Sequence, residues 1–239
     1  MKKLAIILGH NPERRGAVRD GLTEFEYNLD VQGIMLARAH EFGMEAKGFW
    51  RKNNPINQWD EIREAYTRVV QWRPDAVMEL HFNAFTNSQA NGCEVLWAEN
   101  PFANDLADCV LVAINSMFDV HVRGARQLKM GDRGYESVTQ LFTPIVLCEP
   151  FFATNDRDWE KFVEDPKGVG RLAEAYLKGV ERYFKEKQMI DDSLIQKYFG
   201  WEEDKDGLLA RDMVRRHPHI FQGTGYVSWG EAKRRERDE

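Results

Sequence analysis

Leu4-Ala5-Ile6-Ile7-Leu8-Gly9-His10 is an unbroken apolar run closed by a glycine and an imidazole. A strand with one wet face would alternate apolar and polar side chains. This run does not, so it is expected to be covered on both faces, as the strands of parallel sheets are. The run is too short for the apolar core of a secretion signal, and Glu13, Arg14 and Arg15 follow at once. It therefore reads as a core strand of a chain made in the cytoplasm without an export signal of its own.

Downstream, strand-like and helix-like segments alternate. This predicts an α/β fold: a mostly parallel twisted sheet with helices on both faces. Thr23 and Glu26 form a T-x-x-E capping box, which predicts a helix start. Phe25, Leu29, Leu36 and Ala39 recur at helical spacing beyond it, and Gly43 fits the stop. Residues 45–50 predict a strand, and 58–72 a helix with Trp59, Ile62, Tyr66 and Val69 on one face, ended by Pro74. Strands are expected at 76–81, 94–98 and 144–148. Asn104 is the expected cap of a helix running to 118, with Leu106, Val110, Ala113 and Met117 inward. Residues 169–187 predict an amphipathic helix with Leu172, Tyr176, Val180 and Tyr183 on one face. Segment 121–143 carries no clear period. The character changes near Met189, so the expected organisation is one domain over 1–188 and a C-terminal extension of unknown role over 189–239.

With 239 residues, 43% of them hydrophobic, the chain can bury a substantial core and is not of the disordered class. A net charge of −6 argues against a nucleic-acid partner. No apolar run approaches the ~20 residues that cross a bilayer. The mixed-sign tail Lys233-Arg234-Arg235-Glu236-Arg237 reads as a solvated helix end. Cys93, Cys109 and Cys148 are odd in number and lack a C-x-x-C pair, which argues against a disulfide framework and for buried free thiols.

Three predicted strands end in a residue able to bind a metal or move a proton: His10, His81 and Glu149. In open parallel sheets, ligands bind at the carboxyl ends of strands, so these side chains are expected at one sheet edge. Two imidazoles and one carboxylate form a common catalytic zinc set with an open position for water. Such an ion lowers the pKa of bound water from about 15.7 towards about 7, and a second carboxylate can then carry the water's proton to a leaving amine. By position alone the carboxylate ligand is Glu24 or Glu26.

The surrounding motifs resemble those of the zinc-dependent N-acetylmuramoyl-L-alanine amidases, the amidase type 3 family. Ile6-Ile7-Leu8-Gly9-His10 looks like that family's first strand and Gly-His. Gly21-Leu22-Thr23-Glu24-Phe25-Glu26-Tyr27-Asn28-Leu29 is similar to its G-L-x-E-x-x-x-N-L segment. Leu80-His81-Phe82-Asn83-Ala84 is similar to S-x-H-x-N-A, followed by Gly92-Cys93-Glu94-Val95-Leu96. Pro144-Ile145-Val146-Leu147-Cys148-Glu149 resembles P-A-V-L-V-E, with Asn155-Asp156 after it. The resemblance runs over residues 4–185. It implies zinc held by His10, Glu24 and His81, Glu149 as the catalytic carboxylate, and peptidoglycan as substrate. The implied reaction is cleavage of the amide between N-acetylmuramic acid and the first L-alanine, at the bacterial cell wall. A phage or prophage lysin fits that reading. A zinc peptidase acting on wall peptides, or a wall-binding protein without catalysis, are the alternatives.

Two departures stand out. Glu79 replaces the family serine two before the histidine and, sharing a strand face with it, is a candidate second carboxylate beside the metal. Phe151-Phe152 follows Pro150 where the family has Gly-Phe. Arg51 and Arg63 are candidate substrate or structural cations. Asp204-Lys205-Asp206-Gly207 is set aside as a calcium loop because Met213 stands where a bidentate Glu is required. His217 and His219 read as surface residues, and Trp59 and Trp72 as a helix core face.

Overall fold

The N-terminal apolar run forms β1 (Lys2–Leu8), with Leu4 to Leu8 almost wholly removed from solvent. The computed structural model describes residues 1–54, 57–141 and 143–199. A short hairpin follows, β2 (Val18–Arg19) and β3 (Leu22–Thr23), paired antiparallel. Asp20 and Gly21 at its tip both have positive φ, 51° and 82°, which matches the strand-compatible hairpin turn that Asp-Gly favours. Then come α1 (Glu24–Arg38), a short 3-10 turn, β4 (Met44–Trp50), α2 (Gln58–Trp72) and β5 (Ala76–Leu80). The second half contains β6 (Cys93–Trp97), α3 (Pro101–Phe118), β7 (Val122–Gln127), α4 (Tyr135–Val138), β8 (Ile145–Glu149), α5 (Asp156–Trp159) and α6 (Gly168–Phe199).

The sheet order is β4-β1-β5-β8-β6-β7. β4, β1, β5 and β8 run parallel, while β6 pairs antiparallel with β8 and parallel with β7. Alternate side chains of the central strands feed two apolar layers. Leu4, Ile6, Leu8, Met78 and Val146 pack with α1, α3 and α6. Ala5, Ile7, Val77, Ile145 and Leu147 pack with Tyr66 and Val69 of α2 and Val138 of α4. Helices cover both faces, as expected from strands without a polar side. The three cysteines are free and buried. Among the described residues, no helix is long and apolar enough to cross a membrane.

Several local expectations need correction. Helix α1 does begin with a capping box: Thr23 Oγ1 accepts from the Glu26 amide and the Glu26 carboxylate accepts from the Thr23 amide. Its inner face, however, is Tyr27, Val31 and Met35, while Leu29 is exposed. Phe25 and Leu36 pack against the core and Ala39 is buried in it, so of the expected stripe only Leu29 faces outward, while the polar Asn28 and Gln32 share the inner face. Gln32 is accommodated because its amide donates to the Ile6 and Phe49 carbonyls at 2.8 and 3.1 Å. Trp59 is exposed rather than in the core. The cap of α3 is Asn100, with Pro101 at the first helical position, one turn earlier than Asn104. Replacing Thr23 with Ala is expected to cost about 1 kcal/mol, seen as a lower urea midpoint at unchanged m-value.

The chain divides into two compact units, Met1–Phe184 and Lys185–Glu239. The features noted at 204–207, 217–219 and 233–237 lie outside the described residues.

Candidate metal centre

β1, β5 and β8 are neighbours, and Leu8, Leu80 and Cys148 stand side by side near their carboxyl ends. The next residues therefore emerge together at one edge. The His81 amide donates to the Cys148 carbonyl at 3.1 Å, which sets His81 beside Glu149. The Gly9 amide donates to Leu80 at 3.2 Å, which aligns His10 with the same edge. Glu24 reaches this edge from the first residue of α1.

The candidate ligand atoms of His10, Glu24 and His81 all lie within 4.8 Å of one another. His81 Nδ1 is 2.9 Å from Glu24 Oε1, and His10 Nε2 is 3.2 Å from Glu24 Oε2. The two rings stand nearly perpendicular, 77° apart, with centroids at 5.1 Å. Each group is oriented from behind. His10 Nδ1 donates to the Arg14 carbonyl at 3.1 Å, which leaves Nε2 as the lone-pair nitrogen of the neutral ring. That buried Nε2 has no hydrogen-bond partner among the described residues. Glu24 accepts from the Ala17 and Phe82 amides at 3.1 and 3.0 Å. Although burial opposes ionisation, contacts with His10 and His81 hold its carboxyl well below the usual range. Two imidazoles, one ionised carboxylate and an orphaned ring nitrogen suit a divalent transition-metal ion.

The loop that presents His10 is tied down by Asn11. Its Oδ1 accepts from the Glu13 and Arg14 amides at 3.1 and 2.8 Å, and its amide reaches buried Glu61 of α2 at 3.4 Å. Gly9 is required beside it, because a Cβ there would overlap the His81 imidazole. Gly9→Ala is expected to displace that ring, destabilising the fold by about 1–3 kcal/mol and lowering metal affinity. Denaturant unfolding and metal titration check the two effects separately.

Glu149 is half-buried at the end of β8, with Oε2 buried and unpartnered among the described residues. Burial pushes its carboxyl up to about 8; His81 and Arg133 pull it down, and Glu24 and Glu94 add to the rise. Glu94 is the second residue of β6, which runs antiparallel to β8, and stands directly opposite Glu149 in the ladder. Its Oε1 accepts from the Asn83 amide group at 2.7 Å, and Arg123 Nε lies 3.5 Å from its Oε2. The sequence does not mark Glu94 as a site residue, because it stands at the start of a strand and the carboxyl ends of strands are where parallel order gathers ligands. β6 runs the other way, so its start faces this edge.

Glu79 is fully buried on the α2 face of β5. His81 Nε2 donates to its Oε1 at 2.9 Å, and Tyr66 donates to Oε2 at 2.8 Å. The Arg51 guanidinium and Ser137 hydroxyl also donate to Oε1. Burial favours the neutral acid, but Arg51, His81 and Tyr66 outweigh it and hold Glu79 at about 2. Because this lies below the ordinary value of 4.5, ionised Glu79 contributes stability above pH 4.5 that is lost as pH falls through about 2. Urea midpoints should fall across this window, and more shallowly in an Arg51→Met, Glu79→Gln double variant. Burial alone would lower the His81 imidazole, yet Glu24 and Glu79 on either side raise it to about 10.

Arg51 is thus engaged inside the protein, whereas Arg63 is largely exposed and 3.9 Å from Asp60. Phe151, one of the departures from the family motif, is fully buried. It packs with Tyr27 and Phe82 at ring separations of 5.3 and 5.0 Å, beneath the site.

The family model for N-acetylmuramoyl-L-alanine amidases matches residues 4–182. No curated protein matches the sequence. Among solved structures, the catalytic domain of the amidase CwlV from Bacillus (Paenibacillus) polymyxa var. colistinus superposes with a TM-score of 0.65 at 18% identity. That match covers 77% of this chain and 99% of the other. The amidase AmiC2 of Nostoc punctiforme gives 0.63 at 22% identity, covering 77% and 97%. The catalytic domain of the CD27L endolysin, which targets Clostridia difficile, gives 0.62 at 22%, covering 75% and 97%. These structures share the fold, and the family match spans every strand and helix that builds the sheet edge described above. The chain belongs to the N-acetylmuramoyl-L-alanine amidase family.

Proposed function

We propose that residues 1–188 hydrolyse the amide between N-acetylmuramic acid and the first L-alanine of the peptidoglycan stem, using one zinc ion held by His10, Glu24 and His81. Residues 189–239 are a C-terminal extension of unknown role. The observation that carries the reading is the convergence of three ligand atoms within 4.8 Å, one of them a buried imidazole nitrogen without a hydrogen-bond partner among the described residues. A zinc ion bound there would act as a Lewis acid on the scissile carbonyl and make water nucleophilic near neutral pH.

The chain's own groups do the rest. His10 presents Nε2 because Arg14 holds Nδ1. Glu24 is kept ionised and aimed by two backbone amides. Glu149 stands beside His81 with a buried, uncommitted oxygen, so it is positioned to take the proton of an attacking water. The same carboxyl then returns that proton to the alanine nitrogen, which must leave as a neutral amine. With its ordinary tendency to ionise reduced by burial, Glu149 suits both halves of this exchange.

Purified protein incubated with peptidoglycan, with and without a chelator, tests the proposal. Chelator-sensitive appearance of free L-alanine amino termini on intact stem peptides, without new reducing sugar ends, is expected. Cleavage within the stem would mark a peptidase, and sedimentation with the wall without cleavage a binding protein; either result overturns the amidase reading.

A further inference from the structure

We propose that Glu79, neutralised by Arg51, is a positioning residue that makes His81 a metal ligand through Nδ1 rather than Nε2. This inference rests on the metal reading above.

The geometry assigns different tasks to the two ring nitrogens. Nδ1 faces Glu24, and through it the His10 nitrogen. Nε2 faces away, 2.9 Å from Glu79 Oε1. Nδ1 is equally 2.9 Å from a carboxylate, but that carboxylate is Glu24, itself one of the three candidate ligands. An ion held between Glu24 and His10 would take the place of a proton on Nδ1, whereas Glu79, outside the ligand group, can only accept the proton on Nε2. The same side of the ring fills the space that a Cβ on residue 9 would take, which the glycine leaves free. A carboxylate on the outer nitrogen of a ligating histidine fixes its tautomer and raises its basicity.

A purely structural account of Glu79 is weaker. The pleat sends position 79 into the layer formed by Ala5, Ile7, Val77, Ile145 and Leu147. An ion pair placed there gives little or no stability over apolar residues of similar size. The protein nonetheless supplies Glu79 with Arg51 from the end of β4, Tyr66 from α2 and Ser137 from α4, and Ser137 is also bound by Arg51 at 2.8 Å. Of these contacts, only the one to His81 leads out of the core to the ligand group. Arg51 permits a full negative charge at that spot without adding a net charge to the site. Its burial places it out of a substrate's reach.

The test uses zinc alone as the probe and does not depend on hydrolysis. The Arg51→Met, Glu79→Gln double variant removes both charges together, so neither is stranded, and it keeps an amide oxygen within reach of His81. It is expected to fold and to bind zinc about 10–100-fold more weakly than the native chain by competition with a chromophoric chelator. A folded double variant with native zinc affinity overturns the proposal. A second measurement needs no variant: long-range 1H–15N correlation spectra of the zinc-loaded native chain. These are expected to show His81 with a proton on Nε2 and the metal on Nδ1; metal on Nε2 overturns the proposal even if the double variant does not fold. His10→Ala separates the two levels. If it binds zinc as the native chain does, the metal centre itself is wrong. If it loses zinc while the spectra show metal on Nε2 of His81, only the role of Glu79 fails.

Discussion

Glu149→Gln is expected to lower the rate of amide hydrolysis by about 10²–10⁴-fold, the usual worth of a positioned proton carrier. Zinc content and folding are expected to stay native. The amide is the same size as the carboxyl and cannot take a proton from water. Glu149 is not among the three groups that converge within 4.8 Å, so the ion should remain bound. Nor should stability fall, because the lost group is a carboxyl whose Oε2 is buried without a hydrogen-bond partner among the described residues, a placement that costs free energy. Steady-state release of stem peptides, elemental analysis and urea unfolding together check this. A variant with native turnover removes Glu149 from the mechanism, whereas one that also loses zinc reassigns it as a ligand.

The other large effect is expected of His10→Ala. Its Nε2 is one of three candidate ligand atoms, and no other imidazole or carboxylate belongs to that group among the described residues. Two remaining donors do not make a stable zinc site, which ordinarily needs three protein ligands when a position is open for water. Hydrolysis should fall to the level of chelator-treated native protein, and added zinc should restore the chelated native protein but not the variant. Because His10 lies at the sheet edge with its ring partly accessible, the truncation should cost little stability. Retention of one zinc per chain in His10→Ala would remove the proposed ligand set.

How much of this was readable beforehand differs from element to element. The continuous apolar runs of β1 and β8 announce a doubly covered sheet, because no polar side chain marks a wet face, and β5 interrupts its apolar run only at Glu79. Helix α2 was read from its pattern to the residue, and Pro74 shows why it stops. Helix α1 is marked by its cap, but apolar spacing shows only part of its buried face: Phe25, Leu36 and Ala39 pack inward and Leu29 does not. Gln32 is buried there because two strand carbonyls across the interface accept its amide, and no local pattern in the sequence contains those carbonyls. The start of α3 was placed at Asn104 when both Asn100 and Asn104 could cap. Pro101, which suits a first helical position, was the overlooked signal.

The candidate site divides the same way. His10, His81 and Glu149 were picked because each closes an apolar run, and parallel register brings such ends together. Glu24 was left level with Glu26 by position and preferred only through the family motif; in the fold Glu26 closes the capping box while Glu24 turns inward. Glu79 was noticed as an acid two residues from His81. Its partners Arg51, Tyr66 and Ser137 were not, because they arrive from three different elements.

The sequence alone determined the layered α/β class, the strand ends that carry imidazoles and carboxylates, and the capped helix that delivers Glu24. All of these follow from local pattern: burial periodicity, caps, and the last residue of a strand. Only the tertiary structure decided that β6 runs antiparallel and brings Glu94 opposite Glu149. It also decided that Arg51 is a buried structural counter-ion rather than a substrate-binding cation, and which nitrogen of His81 faces the ligand group. Those outcomes depend on strand direction, register and packing between segments far apart in the chain, where neighbours in space are not neighbours in sequence.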